Sequence, residues 1–427
     1  MSESRISAGR SSWLPLTLVA ELTQFETFEG EPLADYLPVL RQFPPIGEPL
    51  AELERWQRRF SHPSLRFLAE DLATLERDVQ EVLDDPEFVA QHAADDCCAH
   101  LGGSWSLVMR LCEQCADLAA RDARHGLAVA RAATALAENI GQIFSVAQRR
   151  QLEALTWAQQ GNAWRIPGHL PQAAECFERV ELHPPGEGSI LEGIWAEIRC
   201  LEGSFLRDRR HLPEARAALH EGIRLAEESG LEGVRVRCLS KLASLDFETG
   251  DHARAVARAQ EVLRLLRPEE DPRRYAEARA NLANFLMRSG EAAAALVQLE
   301  QWRDEIQAHC RPGDLVRVVW IEAAALHRVG RTAEAIECYE EARRRFLELQ
   351  HVDSLALVTL ELAIVHLEEG NTAEVRRLAT EILPVFTMQG IDREAHATLA
   401  LFREAALAER ITLAQVRAWL GKLSGQA

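Results

Sequence analysis

The chain has 427 residues, 47% apolar and 27% charged, which is enough to bury a large core and excludes wholesale disorder. Forty-eight basic against sixty-six acidic residues give a formal charge of −18, a surface that repels phosphate backbones and argues against a nucleic-acid partner. Nine cysteines, an odd number spread through a long chain, do not make a secreted disulfide scaffold. Reduced, mostly buried thiols in a cytoplasm are the expectation. Aromatics are only 6% while Ala, Leu, Arg and Glu recur, a mixture that favours helix over strand. The cations are almost all arginine, with lysine only at positions 241 and 422.

Taken in order, residues 1–100 come first and are punctuated by Pro15, Pro32, Pro38, Pro44, Pro45, Pro49, Pro63 and Pro86. The apolar run Trp13–Leu22 contains Pro15 and is too short to span a bilayer, so neither a membrane segment nor a leader is expected. The stretch from Pro44 to Pro49 reads as a loop. One long helix is predicted over Pro63–Leu83, capped by Ser61 with proline in its first turn. This region reads as an irregular helical N-terminal cap that shields the first repeat or docks a partner. Cys97, Cys98, His100, Cys112 and Cys115 then form a cluster with metal-like spacing. Cys112 and Cys115 fall at i, i+3 on a predicted helix, where core positions recur, so buried thiols are expected rather than zinc. Residues 104–140 read as a helix pair out of register with the later pairs.

From residue 168 the chain repeats. A turn leading into a helix recurs at Gly168, Arg210, Gly250, Gly290, Gly330 and Gly370, with spacings of 42, 40, 40, 40 and 40. Glycine suits a left-handed helix terminus, and Arg210 is the exception whose turn is expected to be made another way. Seven residues before each turn stands a small residue: Gly161, Gly203, Ala243, Ala283, Ala323 and Ala363. Five residues after it stand Ala173, Ala215, Ala255, Ala295 and Ala335, with Val375 last. Two antiparallel helices approach closely only where both present small side chains at the crossing.

The residues Trp157, Gly161, Trp164, Ala173, Phe177 and Pro185 resemble the tetratricopeptide repeat signature, with Trp164 where Tyr is usual and Gln160 where Leu is usual. Ala335, Tyr339 and Ala342 repeat the second-helix part. The period of about 40 is longer than the family's usual one and resembles kinesin light chains and the sensor arms of some bacterial regulators. The resemblance implies an all-α, right-handed α-solenoid of tetratricopeptide-like helix pairs. The array is expected to span 101–410, behind the cap at 1–100 and ahead of a capping helix and tail at 411–427. In that last segment a helix Leu413–Leu423 is capped by Thr412.

No phosphate loop, HExxH or GxSxG occurs, so neither a catalytic set nor a cofactor is expected. The resemblance implies instead a groove lined by the first helix of each pair. By the register its candidates are Asn162, Arg165, Ser204, Arg207, Ser244, Phe247, Asn284 and Met287, cationic early and apolar late. Asn and Arg on such a face resemble the devices with which peptide-binding relatives hold backbone and carboxylate. The lysines of the full carboxylate clamp are not matched. The expected role is a non-catalytic scaffold for a protein or peptide with an acidic or carboxylate end. The alternative is a sensor or regulatory subunit acting on a separate chain.

Overall fold

The computed structural model describes residues 27–28, 31–32, 63–102, 104–140, 146–183, 189–269, 271–389, 400, 402–403, 405–407 and 411–423. Most of the proline-rich N-terminal region, Ser61, Pro185 and most of residues 390–410 lie outside them. Among the described residues the only β-structure is a two-residue antiparallel ladder, β1 (Thr27–Phe28) with β2 (Glu31–Pro32). Everything else regular is helical, an all-α fold of tetratricopeptide-like helix pairs.

The chain divides into two compact units, Met1–Leu245 and Asp246–Ala427. The first contains α1 (Pro63–Asp84), α2 (Pro86–His92), α3 (Trp105–Arg121), α4 (Ala123–Glu138), α5 (Val146–Arg165), α6 (Leu170–Glu181), α7 (Ser189–Asp208), α8 (Leu212–Glu228) and most of α9 (Glu232–Glu248). Helix pairs α3–α4, α5–α6 and α7–α8 pack within themselves, and α5 also packs on α7. Local chemistry sets the starts. The Ser104 hydroxyl accepts from the Leu107 amide at 3.2 Å, and the Asp122 carboxylate accepts from the amides of Arg124 and His125. Pro171 and Pro213 stand in the first turns of α6 and α8, where a missing N–H costs nothing.

The second unit holds α10 (His252–Leu265), α11 (Pro272–Arg288), α12 (Ala292–Gln301), α13 (Arg303–His309), α14 (Pro312–Arg328), α15 (Thr332–Glu348), α16 (Val352–Glu368), α17 (Thr372–Gln389) and α18 (Leu413–Leu423). Thr412 and Gln415 form a reciprocal capping box at the start of α18, side chain to amide in both directions. Val416 of α18 is fully buried, and the helix packs on α16.

The small-residue register is a core register. Ala173, Ala215, Ala255, Ala295 and Ala335 have no exposed surface, nor do Ala283, Ala323 and Ala363. A Cβ on Gly203 would stand 2.6 Å from the Leu219 Cγ, and one on Gly161 2.9 Å from the Phe177 ring. The corners keep the period too: Gly168, Gly250, Gly290, Gly330 and Gly370 all have positive φ. At Arg210 the expectation of a different turn is wrong. Arg210 itself adopts φ 62°, and its corner is closed by the same bonds: Arg210 N to Arg207 O (2.8 Å) and His211 N to Leu206 O (2.9 Å). The helix-ending hydrogen bonds outweigh the penalty on a side chain bearing Cβ.

The thiols expected in the core are there. Cys98, Cys112 and Cys115 are buried and Cys97 is exposed. Burial pushes the Cys115 thiol up to about 12, and His100 pairs with Glu81 at 3.0 Å. Among the described residues no three of these candidate ligands approach within 4.8 Å of one another.

Candidate functional site

The cationic half of the expected groove lies in the first unit, at the C-terminal ends of α5 and α7. Residues i and i+4 lie on nearly one helix face, so Arg165 and Arg207, four past the buried Gly161 and Gly203, emerge at the edge of the packed seam. Their side chains are 15% and 25% exposed. Arginine reaches from such a position to the surface, because its long stem covers apolar atoms while its head stays polar.

The two guanidinium groups converge on one carboxylate. Arg165 Nη1 donates to Asp208 Oδ2 at 2.5 Å, and Arg207 donates through Nε and Nη2 to Asp208 Oδ1 at 3.1 and 3.0 Å. Arg165 Nε also donates to Asn162 Oδ1 at 3.0 Å, which fixes the guanidinium plane. Asn162 and Ser204 are both buried; Asn162 supports Arg165 from beneath, while Ser204 donates to the Cys200 carbonyl at 3.3 Å. A third cation stands beside them: Lys241 of α9 donates to Ser204 Oγ at 2.5 Å. Burial holds the Lys241 ammonium below the ordinary lysine range; neighbouring Arg165 and Arg207 push it the same way, and the nearby Cys200 opposes them. The cluster therefore sets two guanidinium groups on the Asp208 carboxylate, with a buried ammonium close by on Ser204.

Asp208 and Lys241 were not among the candidates read from the register. Lys241 carried a signal: it is one of two lysines in an arginine-dominated chain and lies on the same kind of helix as Arg165 and Arg207. Further along α7 and α9, Glu197 pairs with Arg237. Ser244 is half-buried and donates back to the Ser240 carbonyl at 3.2 Å.

The apolar candidates belong to the second unit. Phe247 is half-buried, its ring 5.1 Å from that of Phe285 and 5.2 Å from His252. Asn284 is half-buried. Met287 is 2% exposed and is a core residue, not a contact open to a ligand. Its position is equivalent to that of Arg165, but an unbranched apolar chain at the seam's edge turns into the core.

No family model matches the chain, and no curated protein matches it. Solved structures do. A Rap protein complexed with Competence and Sporulation Factor superposes with a TM-score of 0.58 at 13% identity, covering 75% of this chain and 87% of that one. The apo form of RapI gives 0.53 at 13%, with the same coverage. A signal-transduction ATPase with a tetratricopeptide repeat sensor, from Pyrococcus horikoshii, gives 0.48 at 12%, covering 72% of this chain and 55% of that one. At this identity the likeness to the Rap structures is one of fold. No helix among the described residues is long and apolar enough to cross a membrane.

Proposed function

We propose that the protein is a non-catalytic helical-repeat scaffold whose first unit receives an extended segment of a partner protein or peptide. The cluster of Arg165, Arg207 and Lys241 takes an acidic side chain or C-terminal carboxylate of that partner. The observation that carries this reading is the convergence at Asp208: two guanidinium groups share one carboxylate, with a partly dehydrated ammonium beside them. Each shielded charged contact is worth about 1.5–3 kcal/mol. A Rap protein of this fold is known with Competence and Sporulation Factor bound, which supports ligand binding as a use of the architecture. A regulatory subunit that controls a separate chain would use the same site, and the same experiment addresses it.

An array of peptides ending in free carboxylate, and the same peptides ending in amide, tests the reading. Wild-type protein should retain the carboxylate set preferentially. R165Q and K241M should each weaken that binding about tenfold. D208N, which removes the competing internal anion, should strengthen it. Equal retention of acids and amides, or no change in any of the three variants, would place the partner's contact elsewhere.

A further inference from the structure

In the second unit, three side chains with metal-ligating atoms meet away from the groove. Glu340 lies on α15, His366 in the last turn of α16 and Glu374 in the first turn of α17. One donor atom from each lies within 4.8 Å of the other two. The repeat's own geometry brings them together. His366 stands four residues before the corner at Gly370 and Glu374 four residues after it, so the turn lays one against the other. Helix α15 packs on α16 and brings in Glu340.

His366 is the informative member. It is 5% exposed, and its Nε2 has no hydrogen-bond partner although it is fully shielded from solvent. A buried polar atom left unmatched costs about 1–3 kcal/mol, and native structures seldom carry one without a use. Burial also holds the imidazole below its ordinary pKa, against the pull of Glu374 and Glu340.

A cation already occupies the space between the carboxylates. Arg377 pairs with Glu340 and donates through Nε to Glu374 Oε2 at 2.6 Å, while its Nη1 contacts Glu381 at 2.9 Å. Arg343 donates to Glu340 Oε2 at 3.0 Å and holds Glu381 as well. Three carboxylates thus face two guanidinium groups, and neither guanidinium hydrogen-bonds the imidazole.

The geometry points to a divalent transition-metal site of zinc type on Glu340, His366 and Glu374, in which the ion replaces Arg377 as the cation between the carboxylates. One imidazole with two carboxylates is a donor set that suits zinc better than the all-oxygen sets of calcium or magnesium. Arg377 keeps Glu381 as a partner when it gives way. Glu340 also lines an open cleft of about 680 Å³, together with Glu337, Glu341, Arg343, Leu355 and Thr359, which supplies a path from solvent. A bound ion would tie α15, α16 and α17 together and stabilise the second unit by mass action.

The test uses the full chain, stripped with chelator and titrated with Co²⁺ and with Zn²⁺. Cobalt on nitrogen and oxygen donors lacks the thiolate charge-transfer bands that any of the nine cysteines would produce, so its spectrum separates this site from adventitious thiol binding. The expected result is one Co²⁺ per chain without thiolate bands, and a rise in melting temperature with Zn²⁺. E374Q and H366N should each weaken binding at least about tenfold. R377Q should bind at least as tightly as wild type, because the competing cation is gone. If H366N does not fold, E374Q alone decides. The proposal fails if wild type and R377Q bind no metal, if the only bands are those of thiolate, if E374Q binds like wild type, or if R377Q binds more weakly.

Discussion

Arg210 and Gln350 are the two non-glycine residues among those described that hold positive φ, at 62° and 57°. Both close helix ends with the bond pattern seen at the glycine corners. His211 N to Leu206 O and His351 N to Phe346 O are each 2.9 Å, against 2.8 Å for Asp251 N to Asp246 O at Gly250. The native bonds are therefore already made, and what differs is the backbone cost. A residue with Cβ in this region costs roughly 1–2 kcal/mol. Glycine removes that cost but gives back roughly 0.5–1 kcal/mol of chain entropy in the unfolded state. R210G and Q350G should each stabilise by about 0.5–1 kcal/mol, less a few tenths for any exposed contact of the Arg210 side chain. The reverse change, G250A, should cost about 1 kcal/mol. Guanidinium unfolding monitored by tryptophan fluorescence measures all three. The two substitutions lie in different units, so their effects should add in the double variant. If R210G and Q350G destabilise while G250A is neutral, the shared corner geometry is not what sets stability there.

Three further outcomes rest on the packing and the buried titratable groups. G203A should destabilise the first unit by about 1–3 kcal/mol, because the new Cβ falls 2.6 Å from the Cγ of Leu219, itself 1% exposed; thermal melts decide this. Burial raises Glu113 to about 6, against opposition from Arg110 and Arg237, so between pH 4.5 and 6 the folded chain keeps a proton that the unfolded chain releases. Stability should therefore fall by about 1–2 kcal/mol as pH rises through that window, and E113Q should flatten the profile in denaturant titrations. Iodoacetamide at pH 8 should label one thiol quickly in the native protein, Cys97. The buried thiols Cys115 and Cys310 are pushed up to about 12 and should react only on unfolding, as mass spectrometry would read out.

The features legible in the sequence are those that recur. A corner every 40 residues and a small residue on each side of it are repeated physical demands, and repetition makes them visible against a background rich in alanine. The start of α1 at Pro63 and the bounds of α18 were legible for a local reason: proline in a first turn and a threonine cap act within a few residues. The features that stayed hidden depend on one side chain at a time. Arg210 breaks the composition rule while keeping the geometry. Met287 shares its register with Arg165 and turns inward because its chemistry differs. Asp208 neutralises part of a cationic pair from a neighbouring position that no periodicity marks. Glu340, His366 and Glu374 are separated by 26 and 8 residues, spacings that match no ligand motif and become adjacent only when three helices pack.

The arginines of this chain of charge −18 differ in how they are partnered. Most surface arginines are balanced within their own helix turn: Arg224 by Glu221 and Glu228, Arg344 by Glu341 and Glu348, Arg331 by Glu334. Such pairs are exposed, screened by solvent, and leave little field beyond the helix. Arg165 and Arg207 have no acidic residue three or four positions away on α5 or α7, and their shared acid, Asp208, closes the end of α7. Both arginines meet Asp208, and their side chains are less exposed than those of the surface arginines, so water screens their charge less. The excess of acid elsewhere does not cancel this, because exposed charges beyond a Debye length of about 8 Å are screened. On the proposed reading, it is the pairing pattern along each helix, more than the net charge, that decides where an anion would be received.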